Sequence, residues 1–260
     1  MHDSLTKFAI GLVETGNVPD SVIRAGIRSG CRTRLSREHC EDEDSRFERL
    51  LAMANAMRSG QISLQSAAAN DQHYELPPEF FGLVLGRHRK YSGCYWPTGI
   101  TNLNDAEAES LKLVCERAGI VDGMDILELG CGWGSLTLWM AANYPKSRIV
   151  ALSNSAPQRE YIHSTAGNRG LPNVEVRTVD INDFHTSEIF DRVVSIEMFE
   201  HLWNYELLFE RISTWLKPDG RLFVHVFSHA KYAYKYDIEG VASWMAKYFF
   251  TGGIMPSQEL

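Results

Sequence analysis

At 260 residues and 44% hydrophobic content, the chain can bury a sizeable core, as one large domain or as a domain with an appendage. Its formal net charge of −7 removes the electrostatic case for nucleic acid or an anionic membrane as the main partner. Five cysteines, at 31, 40, 94, 115 and 131, lack C-x-x-C spacing and read as reduced thiols of a cytoplasmic protein with no metal centre. No apolar run approaches the ~18 residues of a membrane span. No basic segment leads into an apolar stretch as a signal peptide would.

Residues 1–70 read as a helical N-terminal extension. Leu5, Phe8, Ala9 and Leu12 repeat at helical spacing, as do Ile23 and Ile27 after Pro19. A third helical pattern uses Phe47, Leu50, Leu51, Ala54 and Met57 and ends at Gly60. Arg24, Arg28, Arg32 and Arg34 form a basic segment that the acidic run 41–44 answers, so a solvated face is expected there rather than a membrane surface. Residues 71–121 read as a lid and cap region. Segments 72–77 and 91–97 are dense in aromatic and polar side chains, fit for a loop over a ligand or for a core edge. Asn104 or Asp105 is placed to cap a helix whose apolar face is Leu111, Val114, Cys115 and Ala118.

The stretch 125–135 then reads Asp-Ile-Leu-Glu-Leu-Gly-Cys-Gly-Trp-Gly-Ser. Ile126, Leu127 and Leu129 make a short buried strand; Gly130, Gly132 and Gly134 follow at alternate positions, before a helical pattern over 136–142. Such a turn lets a ligand approach the backbone, because no Cβ stands in the way. A dinucleotide fingerprint would space its glycines G-x-G-x-x-G, and the P-loop Lys-Ser/Thr pair is absent. With Glu128 in the strand, E-x-G-x-G-x-G resembles the first motif of S-adenosylmethionine-dependent methyltransferases. Strand and helix then alternate: strands at 149–152, 174–179, 192–196 and 222–227, helices at 158–166 and 205–216, and a turn at Lys217-Pro218-Asp219-Gly220. The pattern predicts a doubly wound parallel α/β sheet over 122–230, with ligands at the carboxyl ends of its strands.

Those ends carry the candidate chemistry. After the second strand, Ser153, Asn154 and Gln158 offer neutral hydrogen-bond partners where many nucleotide folds place a carboxylate. After the third, Asp180 can accept from an adenine amino group while Ile181 packs on the ring. After the fourth, Glu197, Glu200 and His201 supply a general base and its orienter within five residues. Near the end of the fifth, His225 and His229 flank Phe227 and either line the same pocket or carry no role.

Segments 72–77, 91–96, 128–135, 154–158, 197–205, 247–253 and 255–257 together resemble the cyclopropane-fatty-acid-synthase superfamily, and within it the coclaurine N-methyltransferase type of plant enzyme. The resemblance implies a Rossmann-like class I methyltransferase fold. It implies that Tyr91, Ser92, Gly130, Gly132, Asn154, Gln158, Asp180, Ile181 and Ile196 contact S-adenosyl-L-methionine. It also implies that Glu200 and His201 serve an amine, with Tyr74 and Glu75 on the lid. Cyclopropane synthases hold a bicarbonate base partly through a cysteine; Gly93 stands at that position here, with Cys94 one place late. Amine methylation is therefore expected over lipid cyclopropanation. Family members continue well past the point where this chain stops, at Leu260. Residues 231–260 would then open a substrate-binding region whose last two strands are missing, and an inactive cofactor-binding fragment is a third reading. The expected partner is a small amine, with a homodimer left open.

Overall fold

The computed structural model describes residues 10–64, 76–91, 93–236, 246 and 250–260. The chain divides into two compact units, one of Met1–Ala56 with Ser228–Leu260, the other of Met57–Phe227. The first unit contains α1 (Asp20–Glu38) and most of α2 (Glu43–Met57). Pro19 stands immediately before α1, where its fixed φ suits a helix start. At the far end the buried Glu38 accepts from Arg34 at 3.2 Å and from Arg49 of α2 at 2.7 Å, pinning the two helices together. Arg24, Arg28 and Arg32 are exposed, as a solvated face requires, but Arg34 is partly buried because it pairs with Glu38.

The second unit is built on five strands, β1 (Asp125–Leu129), β2 (Arg148–Ser153), β3 (Val174–Thr178), β4 (Phe190–Ile196) and β5 (Leu216–His225). They lie in the order β3-β2-β1-β4-β5 and every pairing is parallel. Parallel strands need helical crossovers, which cover both faces of the sheet. That is why β1 and β2 are buried almost throughout instead of alternating in and out. Leu127 and Leu129 pack with Val193, Leu208, Ile212 and Trp215 on one face. Ile126, one residue out of phase, packs with Leu111, Val114 and Met140 on the other. Among the described residues the helices wholly within this unit are α3 (Pro78–Val84), α4 (Leu103–Arg117), α5 (Ser135–Asn143), α6 (Ala156–Asn168) and α7 (Tyr205–Trp215). The sheet grows outward in both directions from β1, so a crevice opens beyond the carboxyl ends of β1 and β4. At the opposite edge, Lys217 bridges Asp125 (3.0 Å) and Asp191 (2.7 Å), while Arg148 bridges Asp125 (2.9 Å) and Glu188 (2.6 Å).

Two local expectations are corrected. The cap of α4 is Asn102, not Asn104 or Asp105: its side chain accepts from the Asp105 N–H at 3.1 Å and donates to the Asp105 carboxylate at 2.7 Å. Asn104 is used elsewhere, accepting from the Arg87 N–H at 2.7 Å. Lys217–Gly220 does not precede the last strand but lies inside it. Leu216 already pairs with Phe190, Arg221 pairs with Arg192, and the residues between bulge out of the register. Strand β5 therefore ends at His225, short of Phe227. In the first unit β6 (Tyr234–Lys235) pairs antiparallel with β7 (Ile254–Met255).

Candidate active site

The turn from β1 into α5 is held open by its glycines. Gly130 has φ +75 and Gly132 φ +51, a region that favours glycine. A Cβ on Gly130 would stand 2.8 Å from the Met198 sulfur, so this glycine lets the end of β4 close against the turn. A Cβ on Gly132 would meet nothing within 4 Å, and Gly132 lines a pocket at the carboxyl ends of the strands. The empty space over Gly132 is a cradle that a ligand can fill. Below it Glu128 is buried and accepts from the Thr137 hydroxyl at 2.6 Å; burial, only partly offset by that hydrogen bond, pushes its carboxyl up to about 7.

The carboxyl ends of β2, β3 and β4 supply the rest of the wall. Ser153, Asn154 and Gln158 line it from β2 and the start of α6, Asp180 and Ile181 from the end of β3. Ser153 donates to the Gln158 carbonyl oxygen at 2.7 Å, which turns the Gln158 amide so that Nε2 is free to donate. That nitrogen is buried and has no hydrogen-bond partner among the described residues. A buried donor left unmade costs about 1–3 kcal/mol, so the site is built to receive an acceptor there. Asp180 receives the Asn182 N–H at 2.8 Å, which fixes its loop.

From β4 come Ile196, Glu197 and His201. Glu197 has φ +54, and a left-handed backbone at a residue with a Cβ marks a position held against strain. Its N–H donates to the His225 carbonyl at 2.8 Å and its carboxylate lies 3.5 Å from His225 Nε2. Burial holds the His225 imidazole below its ordinary value, although Glu197 acts the other way. His225 touches Glu197 but is outside the pocket lining.

Tyr91, Gly130, Gly132, Ser153, Asn154, Gln158, Asp180, Ile181, Ile196, Glu197 and His201 thus surround one space. Glu200 does not join them. It is 1% exposed, its Oε2 has no hydrogen-bond partner among the described residues, and burial pushes its carboxyl up to about 8. The short 3-10 turn Phe199–His201 explains the split, because it presents successive side chains in different directions. Phe227 and Cys94 are also outside the lining, and His229 belongs to the other unit. There the imidazole of His229 accepts the N–H groups of Lys231 (3.1 Å) and Tyr232 (3.0 Å), a loop-shaping task. Tyr74, Glu75 and Ser92 lie outside the described residues.

Two basic residues that belong to no recognisable motif, Arg89 and Lys90, also line the pocket. Their loop is clamped by Glu107 of α4, fully buried, whose carboxylate accepts the N–H groups of Gly86 (2.9 Å), His88 (2.8 Å) and Lys90 (3.1 Å). Burial holds the Lys90 ammonium below its ordinary value, although Cys94, Glu197 and Glu107 act the other way.

The family model described as mycolic acid cyclopropane synthetase matches residues 62–260. An (S)-coclaurine N-methyltransferase from Thalictrum flavum subsp. glaucum is 37% identical over 94% of this chain and 67% of its own. A crystal structure of coclaurine N-methyltransferase bound to N-methylheliamine and SAH superposes with a TM-score of 0.91 at 37% identity, covering 98% of this chain and 73% of that one. A cyclopropane-fatty-acyl-phospholipid synthase from Escherichia coli K12 is 35% identical over 72% of this chain and 46% of its own.

Proposed function

The chain belongs to the mycolic acid cyclopropane synthetase family, and from that premise we propose that it is an S-adenosyl-L-methionine-dependent N-methyltransferase of a small, alkaloid-like amine. The observation that carries the reading is the meeting, around one space, of an open glycine cradle at Gly132 with Glu197 and His201. The residues present fit the methyl donor. Gly132 admits it to the backbone, and the Gln158 Nε2, without a partner among the described residues, supplies a donor for its polar nucleoside. Asn154, Asp180 and Ile181 flank the same end of the pocket. When bound, the donor supplies a methyl group already activated on a positively charged sulfur.

What remains for this chain is alignment and proton removal. Holding the amine nitrogen in line with the methyl is worth up to ~7–11 kcal/mol in favourable cases. An aliphatic amine has a pKa near that of lysine, ~10.4, and arrives protonated. Its lone pair is released when His201, on the pocket wall, takes the proton. Glu197 offers negative charge to the ammonium before transfer. Glu200, buried behind the wall, backs the turn that carries His201. Lipid cyclopropanation is the weaker alternative, since Gly93 replaces the bicarbonate-binding cysteine and Cys94 does not reach the pocket. In this reading residues 1–70 are an appended helical segment, 71–121 a lid and cap, 122–230 the donor-binding domain, and 231–260 the opening of the substrate region. Five free cysteines fit a cytoplasmic setting, and the acidic net charge argues against nucleic acid. Homodimer formation is a matter for light scattering.

The test is His201→Ala. Turnover on a panel of small amines should fall by roughly the 10²–10⁴-fold typical of general acid–base catalysis. S-adenosylhomocysteine binding should hold. The deficit should shrink as pH rises toward the amine's own pKa, because more substrate then arrives neutral. A deficit independent of pH would remove His201 from the proton's path, and a parent chain that methylates no amine would remove the reading.

A further inference from the structure

Arg89 is placed in a way that its loop does not require. Its backbone is left-handed, φ +51, at a residue with a long side chain. Its guanidinium carbon lies 4.1 Å from the centre of the Tyr161 ring, and Tyr161 packs edge-on against Trp133 at 5.6 Å. Gly82 of α3 makes room, since a Cβ there would come within 3.2 Å of an Arg89 nitrogen. The side chain is thereby fixed against the aromatic flank of the β1–α5 turn. Yet its Nη1 is buried and has no hydrogen-bond partner among the described residues.

Two neighbours on that turn share the condition. Trp133 is 3% exposed and its indole Nε1 has no partner among the described residues; neither has the buried hydroxyl of Ser135. Ser135 opens the nine-residue helix α5, whose N-cap Gly134 contributes no side-chain cap, so backbone N–H groups also point out at that end. Arg89, Trp133 and Ser135 all line the pocket. A guanidinium and an indole N–H can only donate, and a hydroxyl can donate as well. Unfilled donors grouped at a helix N-terminus call for an anion with several acceptor lone pairs.

We propose that Arg89, with Trp133 and Ser135, forms the subsite for the carboxylate of the amino-acid tail of the bound sulfonium donor. The inference rests on the methyltransferase reading, since it assigns one end of that donor. In that reading Gln158, Asp180 and Ile181 take the nucleoside end, which leaves the tail for the β1–α5 turn. Arg89 is then a binding residue whose role is electrostatic anchoring.

Calorimetry with two ligands on the parent chain and on Arg89→Met tests it. S-adenosylhomocysteine carries the carboxylate; 5′-methylthioadenosine is the same nucleoside thioether without the amino-acid tail. A charge-assisted pair removed from a buried site should weaken S-adenosylhomocysteine on the order of 10–100-fold. The affinity for methylthioadenosine should stay within about twofold. Unchanged S-adenosylhomocysteine affinity in Arg89→Met would overturn the assignment. An equal loss of both ligands would overturn it too. In the parent, S-adenosylhomocysteine should bind at least 10-fold tighter than its decarboxylated analogue, and equal affinities sink the subsite whatever the variant does. A parent that binds neither nucleoside overturns the donor site itself, a result distinct from the loss of Arg89's role.

Discussion

Gly132 and Glu197 show how much of the site is set by single backbone positions. Both adopt left-handed φ values, +51 and +54, one residue type suited to it and the other not. At Gly132 the space above the backbone is open, so a side chain there would compete with the proposed ligand rather than with the protein. Gly132→Val should therefore abolish measurable S-adenosylhomocysteine binding. The strain of a β-branched residue at that φ should cost about 1–3 kcal/mol of stability without unfolding the chain. Calorimetry and a urea titration measure the two effects separately, and unchanged binding would displace the cradle from this turn. The E-x-G-x-G-x-G spacing makes Gly132 legible in the amino-acid sequence. Glu197 is legible there only as part of a cluster, because nothing in a sequence announces a left-handed glutamate.

Helix α4 does two things with one face and one end. Leu111, Val114 and Cys115 bury against the sheet, while Glu107 reaches back and ties down residues 86–90. That loop has no regular structure of its own, so its three amides would otherwise compete for water. Glu107→Ala should destabilise the unit by about 3 kcal/mol, as three donors lose their acceptor at once. It should also weaken S-adenosylhomocysteine, because Arg89 and Tyr91 ride on the same loop. Glu107→Gln, which keeps an acceptor oxygen, should show a clearly smaller loss by denaturant titration. Equal stability of Glu107→Ala and the parent would mean the clamp carries nothing. The apolar face of α4 is plain from its periodicity. The cap is not, because Asn102, Asn104 and Asp105 are all good cap residues and only geometry shows that the first caps, the second serves the loop and the third receives.

Across the whole chain, alternation of short apolar runs with helical patterns is enough to give the parallel sheet and the edge at which the pocket opens. The bulge at Lys217–Gly220 escapes such a reading because a Pro-Asp-Gly turn signal marks a local reversal without saying whether a strand resumes on either side. Glu200 escapes for a different reason: its direction off a three-residue 3-10 turn decides between pocket and core, and spacing does not encode it. That burial has a consequence for folding. A carboxyl raised to about 8 in the folded chain and near 4.3 when unfolded favours the folded state only while protonated. Its cost to stability is absent below about pH 4 and grows as pH rises toward 8. Thermal midpoints of the parent should therefore decline over pH 5–8 relative to Glu200→Gln, which stays neutral throughout. Parallel profiles would place Glu200 in a wetter setting than its 1% exposure implies.

The ion pairs at the amino ends of the strands have a further meaning. Asp125, Arg148, Glu188, Asp191 and Lys217 sit at the edge of the sheet away from the pocket, with side chains roughly a third exposed; Asp125 alone is shared between Lys217 and Arg148. Ions in solution reach that edge freely and screen it within about a Debye length, ~8 Å at physiological ionic strength. The donors around Gln158 and Trp133 on the other edge are buried and feel little of this. Ionic strength is thus a handle on the frame and ligand a handle on the chemistry, acting from opposite rims of one sheet.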